Sequence, residues 1–242
     1  MDAVQAHEMG AILEQIRLGV VHDQELQAVR LINQRSIVVY DVGANRGQSI
    51  VSFKLMHPDA TIHSFELNAL FHPILDEISA RYADVHIHKH GLSDVAGEVA
   101  FHIPVVNGIL HYEEASIDNV ALDRPWVRER LTALDPNFQV SRHGGTVRVG
   151  DRLGLPAPDL IKIDVEGVEL RVVRGFLETL KTSKPIVIAE NSDWQAVTDL
   201  LGSLGYRPYR FDASGDRLID FHGETTNTFY VPGGHDRGML SR

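Results

Sequence analysis

The feature that most constrains the fold is a short apolar run followed at once by two closely spaced glycines. Residues 37–40 are β-branched or aromatic, which is typical of a buried strand. The chain then turns through Gly43 and Gly47, and an apolar stretch from residue 50 suits the first turns of a helix. This order predicts the opening of a nucleotide-binding βαβ unit. We interpret Gly43 as permitting a tight turn and Gly47 as letting the backbone approach a ligand.

The spacing of these glycines indicates which kind of nucleotide fits. The dinucleotide fingerprint G-x-G-x-x-G would need glycine at 43, 45 and 48, where this chain has Gly43, Asn45 and Gln48. Asparagine, found here at position 45, is the residue type other than glycine that best tolerates a left-handed backbone conformation. Asp41, at the strand end, would repel a phosphate but suits a ligand that carries an ammonium group. The pattern Asp-x-Gly-x-Asn-x-Gly therefore resembles the first motif of class I S-adenosyl-L-methionine (SAM) methyltransferases. An NAD-dependent enzyme and a turn without any ligand are the alternatives.

A carboxylate ends the second predicted strand, residues 60–66. Glu66 lies 25 residues after Asp41, close to the offset of about 20 expected for an acid that binds ribose hydroxyls. A carboxylate can accept two charge-assisted hydrogen bonds from a vicinal diol. We therefore interpret Glu66 as a ribose-binding residue rather than a surface glutamate.

Charged residues recur on a later strand, predicted within residues 159–166. Strand alternation places Lys162, Asp164 and Glu166 on one side of the sheet. Ionisable groups on a central strand are costly unless they are paired or functional. Glu190 ends the next predicted strand, residues 185–191. The acids thus fall at the carboxyl ends of strands, where open α/β sheets place their ligands.

Together these motifs resemble the FkbM family of SAM-dependent methyltransferases. The resemblance rests on five segments: residues 41–47 (Asp-Val-Gly-Ala-Asn-Arg-Gly), 64–66 (Ser-Phe-Glu), 91–94 (Gly-Leu-Ser-Asp), 160–169 (Leu-Ile-Lys-Ile-Asp-Val-Glu-Gly-Val-Glu) and 188–190 (Ile-Ala-Glu). It implies SAM binding by Asp41, Gly43, Ala44, Asn45, Gly47, Gln48, Glu66, Leu67, Leu92, Ser93 and Asp164. The segment at 91–94 is expected to lie over the cofactor crevice, where an adenine is contacted.

The resemblance also implies a fold and a reaction. The expected fold is a Rossmann-like, doubly wound α/β sheet of seven strands, the last antiparallel. The expected reaction is methyl transfer to a hydroxyl of a small molecule, either a natural product such as a polyketide or a sugar. A SAM- or nucleotide-binding regulator without catalytic activity is the alternative from another class.

Methyl transfer to a hydroxyl requires a base for the hydroxyl proton. The candidates are Asp164 and His143, the latter on a glycine-containing segment that we expect to act as a hinge, with Glu166 as a further catalytic residue. Asp164, Glu166 and Glu190 could also surround a magnesium ion. A hydrogen-bonded, metal-free cluster is the favoured alternative.

The remaining chain is divided into segments. Residues 1–36 are predicted as helices separated by Gly19, and 37–232 as the methyltransferase domain. Residues 106–145 lack a sustained period except for a helix predicted at 124–134. They are predicted as a largely irregular lid, in which Tyr112, Trp126 and Phe138 cap the acceptor pocket. Residues 233–242 are expected to be a mobile tail. Three histidines alternate along the third predicted strand, residues 85–94 (His86, His88 and His90), and we interpret them as a partly buried face rather than a metal site.

Composition limits the partners. A net charge of −10 and a pI near 5.7 argue against nucleic acid or an anionic membrane as a partner. The chain has no cysteine, which excludes a thiol nucleophile and cysteine-ligated zinc. Neither a signal peptide nor a membrane span is indicated. We expect a cytoplasmic protein whose partner is a hydroxylated small molecule, with a homo-oligomer left open.

Overall fold

The computed structural model describes residues 3–117, 122, 124–221, 223 and 225–234, with the backbone alone for 3–8 and 113. Part of the predicted lid (118–121 and 123) and most of the predicted tail (235–242) lie outside the described residues.

The described chain contains strands, α-helices and short 3₁₀ helices. The strands are β1 (Val38–Val42), β2 (Thr61–Phe65), β3 (Val85–His88), β4 (Gly91–Ser93), β5 (Gly97–Val106), β6 (Ile109–Leu110), β7 (Ser116–Ile117), β8 (Gln139–Val149), β9 (Leu160–Ile163), β10 (Ile186–Glu190), β11 (Tyr206–Asp212), β12 (Arg217–Asp220) and β13 (Asn227–Pro232). The α-helices are α1 (Ala3–Leu18), α2 (Gln48–Met56), α3 (His72–Ser79), α4 (Pro125–Leu134), α5 (Glu169–Arg174), α6 (Leu177–Thr182) and α7 (Trp194–Ser203). The 3₁₀ helices are Gln24–Leu31, Ala69–Phe71, Tyr112–Glu114, Gly150–Arg152 and Asn191–Asp193.

The main sheet has the order β12-β11-β13-β10-β9-β1-β2-β3. Strands β3, β2, β1, β9 and β10 run parallel, and β13 runs antiparallel to both of its neighbours. The predicted α/β fold with an antiparallel last strand is therefore confirmed. The sheet has eight strands rather than the predicted seven, because β12 pairs with β11 as a hairpin and extends the edge.

Helices cover both faces of this sheet. One core cluster joins alternate strand residues to the N-terminal segment, α2 and α3, and includes Val39, Ile50 and Leu75. The other joins the intervening strand residues to α5, α6 and α7, and includes Val173 and Phe176. Fully burying one such side chain stabilises the fold by about 1.5–3 kcal/mol. The doubly wound arrangement follows from parallel strands that are apolar on both faces.

The register aligns the carboxyl ends of the central strands. Val42 lies opposite both Phe65 and Ile163, and Ile163 lies opposite Ala189. The residues that directly follow Val42, Phe65, Ile163 and Ala189 are Gly43, Glu66, Asp164 and Glu190, respectively. The four positions therefore form one row across the edge of the sheet where α/β folds bind ligands.

A second sheet lies beside this edge, with the order β4-β8-β5-β6 and with β7 also on β5. Its centre is the antiparallel pair β5–β8, in register from Gly97 opposite Val147 to Val105 opposite Gln139. The prediction of an irregular segment up to residue 145 is wrong from 139 onward, because β8 starts there. The sequence pattern did not indicate a strand here because β8 is polar and contains two glycines. A Cβ on Gly145 would lie 2.3 Å from Leu67 Cδ1, so this glycine lets the strand pass over Leu67.

Among the described residues, no helix combines the length and the apolar character that crossing a membrane requires.

Candidate active site

The glycine turn after β1 packs against the turn after β9. Gly43 has φ 83° and Asn45 has φ 49°, so both adopt the left-handed conformation. A Cβ on Gly43 would lie 1.8 Å from the carbonyl oxygen of Asp164, which only glycine avoids. Gly47 also has a positive φ, 88°, but its Cβ would meet Ile78 Cδ1 at 2.4 Å. Gly47 therefore allows the backbone to approach α3 closely. The prediction that it lets the backbone approach a ligand is corrected.

Glu66 connects two backbone turns. Its Oε2 accepts a hydrogen bond from the N–H of Asn45 and its Oε1 accepts one from the N–H of Asn68, both at 2.7 Å. Burial raises the pKa of Glu66 to about 7, and these two hydrogen bonds oppose the shift. Each carboxylate oxygen can accept a further hydrogen bond, so Glu66 remains able to bind a diol.

Glu66 lines a cavity with mostly apolar walls, which we call the Glu66 cavity. Of the predicted cofactor-binding residues, it contains Gly43, Asn45, Glu66, Leu67, Leu92 and Asp164; its other walls include Phe65, Asn68, Phe71, Phe101, Tyr112, Val165 and Glu166. Asn45 Oδ1 and Asn68 Nδ2 are buried without a hydrogen-bond partner among the described residues. A polar ligand would satisfy these atoms, while the apolar walls fit a flat ring. Ser93 does not line the cavity, and its hydroxyl donates to Asp94.

A second cavity, the Glu190 cavity, lies on the side of the sheet covered by the N-terminal segment. Of the predicted residues, it is lined by Gly43, Ala44, Asn45, Gln48, Asp164, Glu166 and Glu190; its other walls include His22, Asp23, Arg46, Ser49, Lys162 and Asn227. Gly43, Asn45, Asp164 and Glu166 line both cavities. The two cavities therefore meet at the turns after β1 and β9.

Asp41 lies behind the cavities rather than in them. Its side chain is completely buried, and its Oδ2 accepts hydrogen bonds from the hydroxyls of Ser49 and Ser64. Lys162 Nζ lies 3.5 Å from the other carboxylate oxygen. The predicted contact between Asp41 and a ligand's ammonium group is therefore corrected, because Asp41 is inaccessible and already faces the ammonium of Lys162.

Lys162 joins three parts of the site. Its Nζ donates to the carbonyl oxygen of Gly43 at 2.8 Å and lies 3.2 Å from Asp164 Oδ2. Burial alone would lower the pKa of Lys162, but the carboxylates of Asp164 and Asp41 outweigh it and the pKa is raised. The lysine therefore stays protonated and fixes Asp164 beside the glycine turn. Lys162 stands out in the sequence as part of the charged motif, but its role becomes evident only from these contacts.

Three carboxylates converge where the two cavities meet. Asp164, Glu166 and Glu190 can each offer one oxygen within 4.8 Å of the others. Burial first, then repulsion from the neighbouring carboxylates, raises the pKa of Glu166 to about 9 and that of Glu190 to about 8. Arg124, just before α4, opposes both shifts. Both glutamates therefore carry protons at neutral pH when the site holds no further positive charge.

The loop that carries Glu166 is strained and held by a buried acid. Glu166 has φ 56°, a left-handed conformation that costs a non-glycine residue about 1–3 kcal/mol. Glu169 is fully buried and accepts hydrogen bonds from the N–H groups of Val165 and Gly167 and from the hydroxyl of Ser192. Glu169 thus fixes the loop. This role could not be recognised in the sequence, because Glu169 follows the charged motif directly.

His143 is not at the site. It lies inside β8, where its ring stacks on Phe101 at 5.4 Å and its Nε2 is 2.9 Å from the hydroxyl of Ser141. It lines neither the Glu66 cavity nor the Glu190 cavity. Its assignment as a base on a hinge is corrected, because the two glycines that follow it are strand residues paired with β5.

The first part of the predicted lid contributes to the wall of the Glu66 cavity. Tyr112 lines that cavity and packs edge-on against Phe71 at 4.9 Å, with the guanidinium of Arg46 5.1 Å from the Tyr112 ring. Trp126 is 57% exposed, and Phe138 lines a different cavity beside α4. Of the three predicted aromatic caps, only Tyr112 reaches the cavities at the edge of the main sheet.

The N-terminal segment contributes to the Glu190 cavity through residues that the sequence did not identify. Asp23 accepts a hydrogen bond from Asn227 Nδ2 at 2.6 Å, and Glu25 accepts one from the N–H of Asn227 at 2.7 Å. These contacts join the segment to β13 across about 200 residues of sequence. Such separations leave no local pattern, so sequence reasoning could not find them.

The three alternating histidines, His86, His88 and His90, form a cluster of rings together with His63. His63 Nδ1 lies 3.1 Å from His88 Nε2, and the His88 ring stacks on Phe65 at 4.6 Å. Burial first, then neighbouring positive charge, lowers the pKa of His88 to about 4. In the part of the chain that the structure describes, only the three carboxylates of the acid cluster offer three ligand atoms close enough for one ion.

Comparison with known proteins identifies relatives of this chain. The profile described as "Methyltransferase FkbM domain" matches residues 41–208. The chain is 27% identical to 2-O-methyltransferase NoeI of Sinorhizobium fredii over 194 residues, 73% of this chain and 76% of NoeI. It is 25% identical to 31-O-demethyl-FK506 methyltransferase FkbM of Streptomyces tacrolimicus over 181 residues, 69% of this chain and 65% of that protein.

A solved structure shares the fold. The crystal structure of methyltransferase FkbM from Methylobacillus flagellatus KT superposes with a TM-score of 0.54 at 16% sequence identity, covering 83% of this chain and 45% of that one. The family match decides against the NAD-dependent and ligand-free alternatives. The chain belongs to the FkbM family of SAM-dependent methyltransferases.

Proposed function

We propose that this methyltransferase transfers the methyl group of SAM to a hydroxyl oxygen of a small molecule. The observation that carries the proposal is the position of Asp164, which lines both cavities and whose carboxylate lies 3.2 Å from Lys162 Nζ. An oxygen acceptor is also named for one relative, the 2-O-methyltransferase NoeI. Natural products and sugars with free hydroxyls are the acceptor classes that we propose.

The cavities suggest how the chain would hold SAM. Glu66 would accept hydrogen bonds from the ribose hydroxyls, and the apolar walls at Leu92 and Phe101 would enclose the adenine. The methionine end would lie towards Gly43 and Asn45, where the Glu66 and Glu190 cavities meet. SAM supplies an electrophilic methyl group when bound, and the chain's own residues supply position and proton transfer.

Asp164 is the proposed base. It would accept the proton of the acceptor hydroxyl as that oxygen forms its bond to the methyl carbon and the carbon–sulfur bond breaks. Glu166 and Glu190, protonated at neutral pH, would donate hydrogen bonds to neighbouring acceptor oxygens. Holding the oxygen in line with the methyl group supplies most of the remaining rate enhancement.

Removing the base tests this proposal. Asp164→Asn keeps the shape of the side chain, so the protein should fold and bind SAM while methyl transfer from labelled SAM to a panel of hydroxylated acceptors falls about 10²-fold or more. Asp199→Asn, on the exposed side of α7, is the matched control and should be fully active. Normal turnover of Asp164→Asn would remove Asp164 from the mechanism.

A magnesium ion between Asp164, Glu166 and Glu190 is the alternative way to reconcile these acids. We propose instead that protons on the two glutamates and the ammonium of Lys162 balance the charge. Methyl transfer should therefore persist after dialysis against a chelator. Activity that disappears with chelator and returns with added Mg²⁺ would establish the metal instead.

A further inference from the structure

A third cavity has no part in the proposed reaction. It has a volume of about 560 Å³, within the usual range of about 300–1,000 Å³ for small-molecule sites. We call it the α4 cavity, and it is lined by His102, Leu122, Arg128, Thr132, Pro136, Phe138, Val140 and Arg142. These residues belong to α4, its flanking segments and the pair β5–β8.

The α4 cavity lies on the opposite face of the second sheet from the Glu66 cavity. Phe101 lines the Glu66 cavity, whereas its neighbour His102 lines the α4 cavity, because successive strand residues point to opposite faces. His102 and Arg142 are direct cross-strand partners in the β5–β8 register. The second sheet therefore separates the two cavities.

The polar groups of this cavity are cationic or neutral. Arg128 and Arg142 are exposed, and neither guanidinium has an ion-pair or hydrogen-bond partner among the described residues. His102 Nδ1 is buried and also lacks a partner there. Among the described residues that line the cavity, none is an Asp or a Glu. Within the described part of the chain, this cavity therefore presents two arginines without a counter-charge, although the net charge of the whole chain is −10.

The chemistry of these side chains defines a ligand. Guanidinium groups present paired N–H donors that match the oxygens of carboxylate, phosphate or sulfate groups. Leu122, Phe138 and Val140 add apolar surface beside them. We propose that the α4 cavity is a second ligand site, which binds a small organic molecule through an oxyanionic group held by Arg128, Arg142 and His102.

Phenyl phosphate is a suitable probe, because it combines an oxyanion with an apolar ring. Calorimetric titration of the full chain should show that phenyl phosphate binds more tightly than inorganic phosphate, and that benzyl alcohol does not bind. The affinity should be the same with and without saturating SAM, since the second sheet separates this cavity from the Glu66 cavity.

Variants locate the binding. Arg142→Gln and Arg128→Gln should each weaken phenyl phosphate roughly tenfold or more, the loss expected for a charge-assisted hydrogen bond. Arg81→Gln removes one exposed charge elsewhere and should leave the affinity unchanged. Circular dichroism and SAM binding should be unaltered in all three variants.

Three results would overturn the proposal: no binding of phenyl phosphate, competition between phenyl phosphate and SAM, or equal weakening by Arg81→Gln and Arg142→Gln. Competition would place the probe in the SAM site, and equal weakening would mean diffuse attraction to surface charge. None of these results bears on methyl transfer, so the proposed function and this site are tested separately.

Discussion

At the scale of single residues, the site depends on carboxylates held in unfavourable surroundings. Glu66 is buried but accepts two backbone hydrogen bonds. Glu166 has a left-handed backbone conformation, and burial together with neighbouring acids raises its pKa to about 9. Such strain and repulsion persist only where the surrounding structure enforces them, which is typical of functional sites.

The raised pKa of Glu166 makes stability depend on pH. Between the ordinary value of 4.5 and about 9, the folded protein keeps a proton that the unfolded chain releases. The contribution of Glu166 to the free energy of unfolding is therefore fully present below about pH 4.5, and it is lost as the pH rises from there to about 9. Glu166→Gln cannot ionise, so its melting temperature should gain on that of the wild type from pH 5 to pH 8.

Scanning calorimetry at the two pH values measures this difference. Glu129→Gln, exposed on α4, is the matched control and should follow the wild-type profile. A difference between Glu166→Gln and the wild type that stays constant from pH 5 to pH 8 would mean that Glu166 ionises normally in the folded protein.

At the scale of elements, the second sheet and the segment between β5 and β8 enclose the Glu66 cavity. Phe101 and Val147 line it from this sheet, and Tyr112 lines it from the connecting segment. Tyr112 packs on Phe71 and Arg46, which lie in the segments that follow β2 and β1 of the main sheet. The segment predicted as an acceptor lid thus also forms a wall of the proposed cofactor site.

Tyr112→Ala should therefore weaken SAM binding, not only acceptor use. Tyr112 lines the Glu66 cavity, and the apolar wall that it would present to SAM predicts an effect on the order of 1 kcal/mol or more. Trp126→Ala is the control from the same segment, because Trp126 is 57% exposed and lines neither the Glu66 nor the Glu190 cavity. Calorimetric titration with SAM should separate the two variants, and equal affinities would assign the segment to the acceptor alone.

At the scale of the whole molecule, sequence reasoning recovered the parts that depend on local pattern. The strand–glycine–helix opening predicted the α/β sheet, and strand-end acids predicted that Glu66, Asp164 and Glu190 would share one edge. The register explains this success, since parallel strands bring their carboxyl ends together.

The parts that sequence reasoning missed depend on contacts between distant segments. The polar strand β8 was hidden because its pairing with β5, not its own composition, stabilises it. Asp41 was assigned to a ligand because its ion pair with Lys162 spans 121 residues of sequence. His143 was assigned as a base because two adjacent glycines suggested a hinge rather than a strand that needs close packing.

The central claim is that the row of residues after the parallel strands binds SAM through Glu66. The most direct measurement is SAM affinity by calorimetry for Glu66→Ala, with Glu77→Ala, exposed on α3, as the matched control. The account predicts that Glu66→Ala weakens SAM by about 1.5–3 kcal/mol, the range for hydrogen bonds to a charged group, while Glu77→Ala binds normally. A folded Glu66→Ala protein with unchanged SAM affinity would contradict the account.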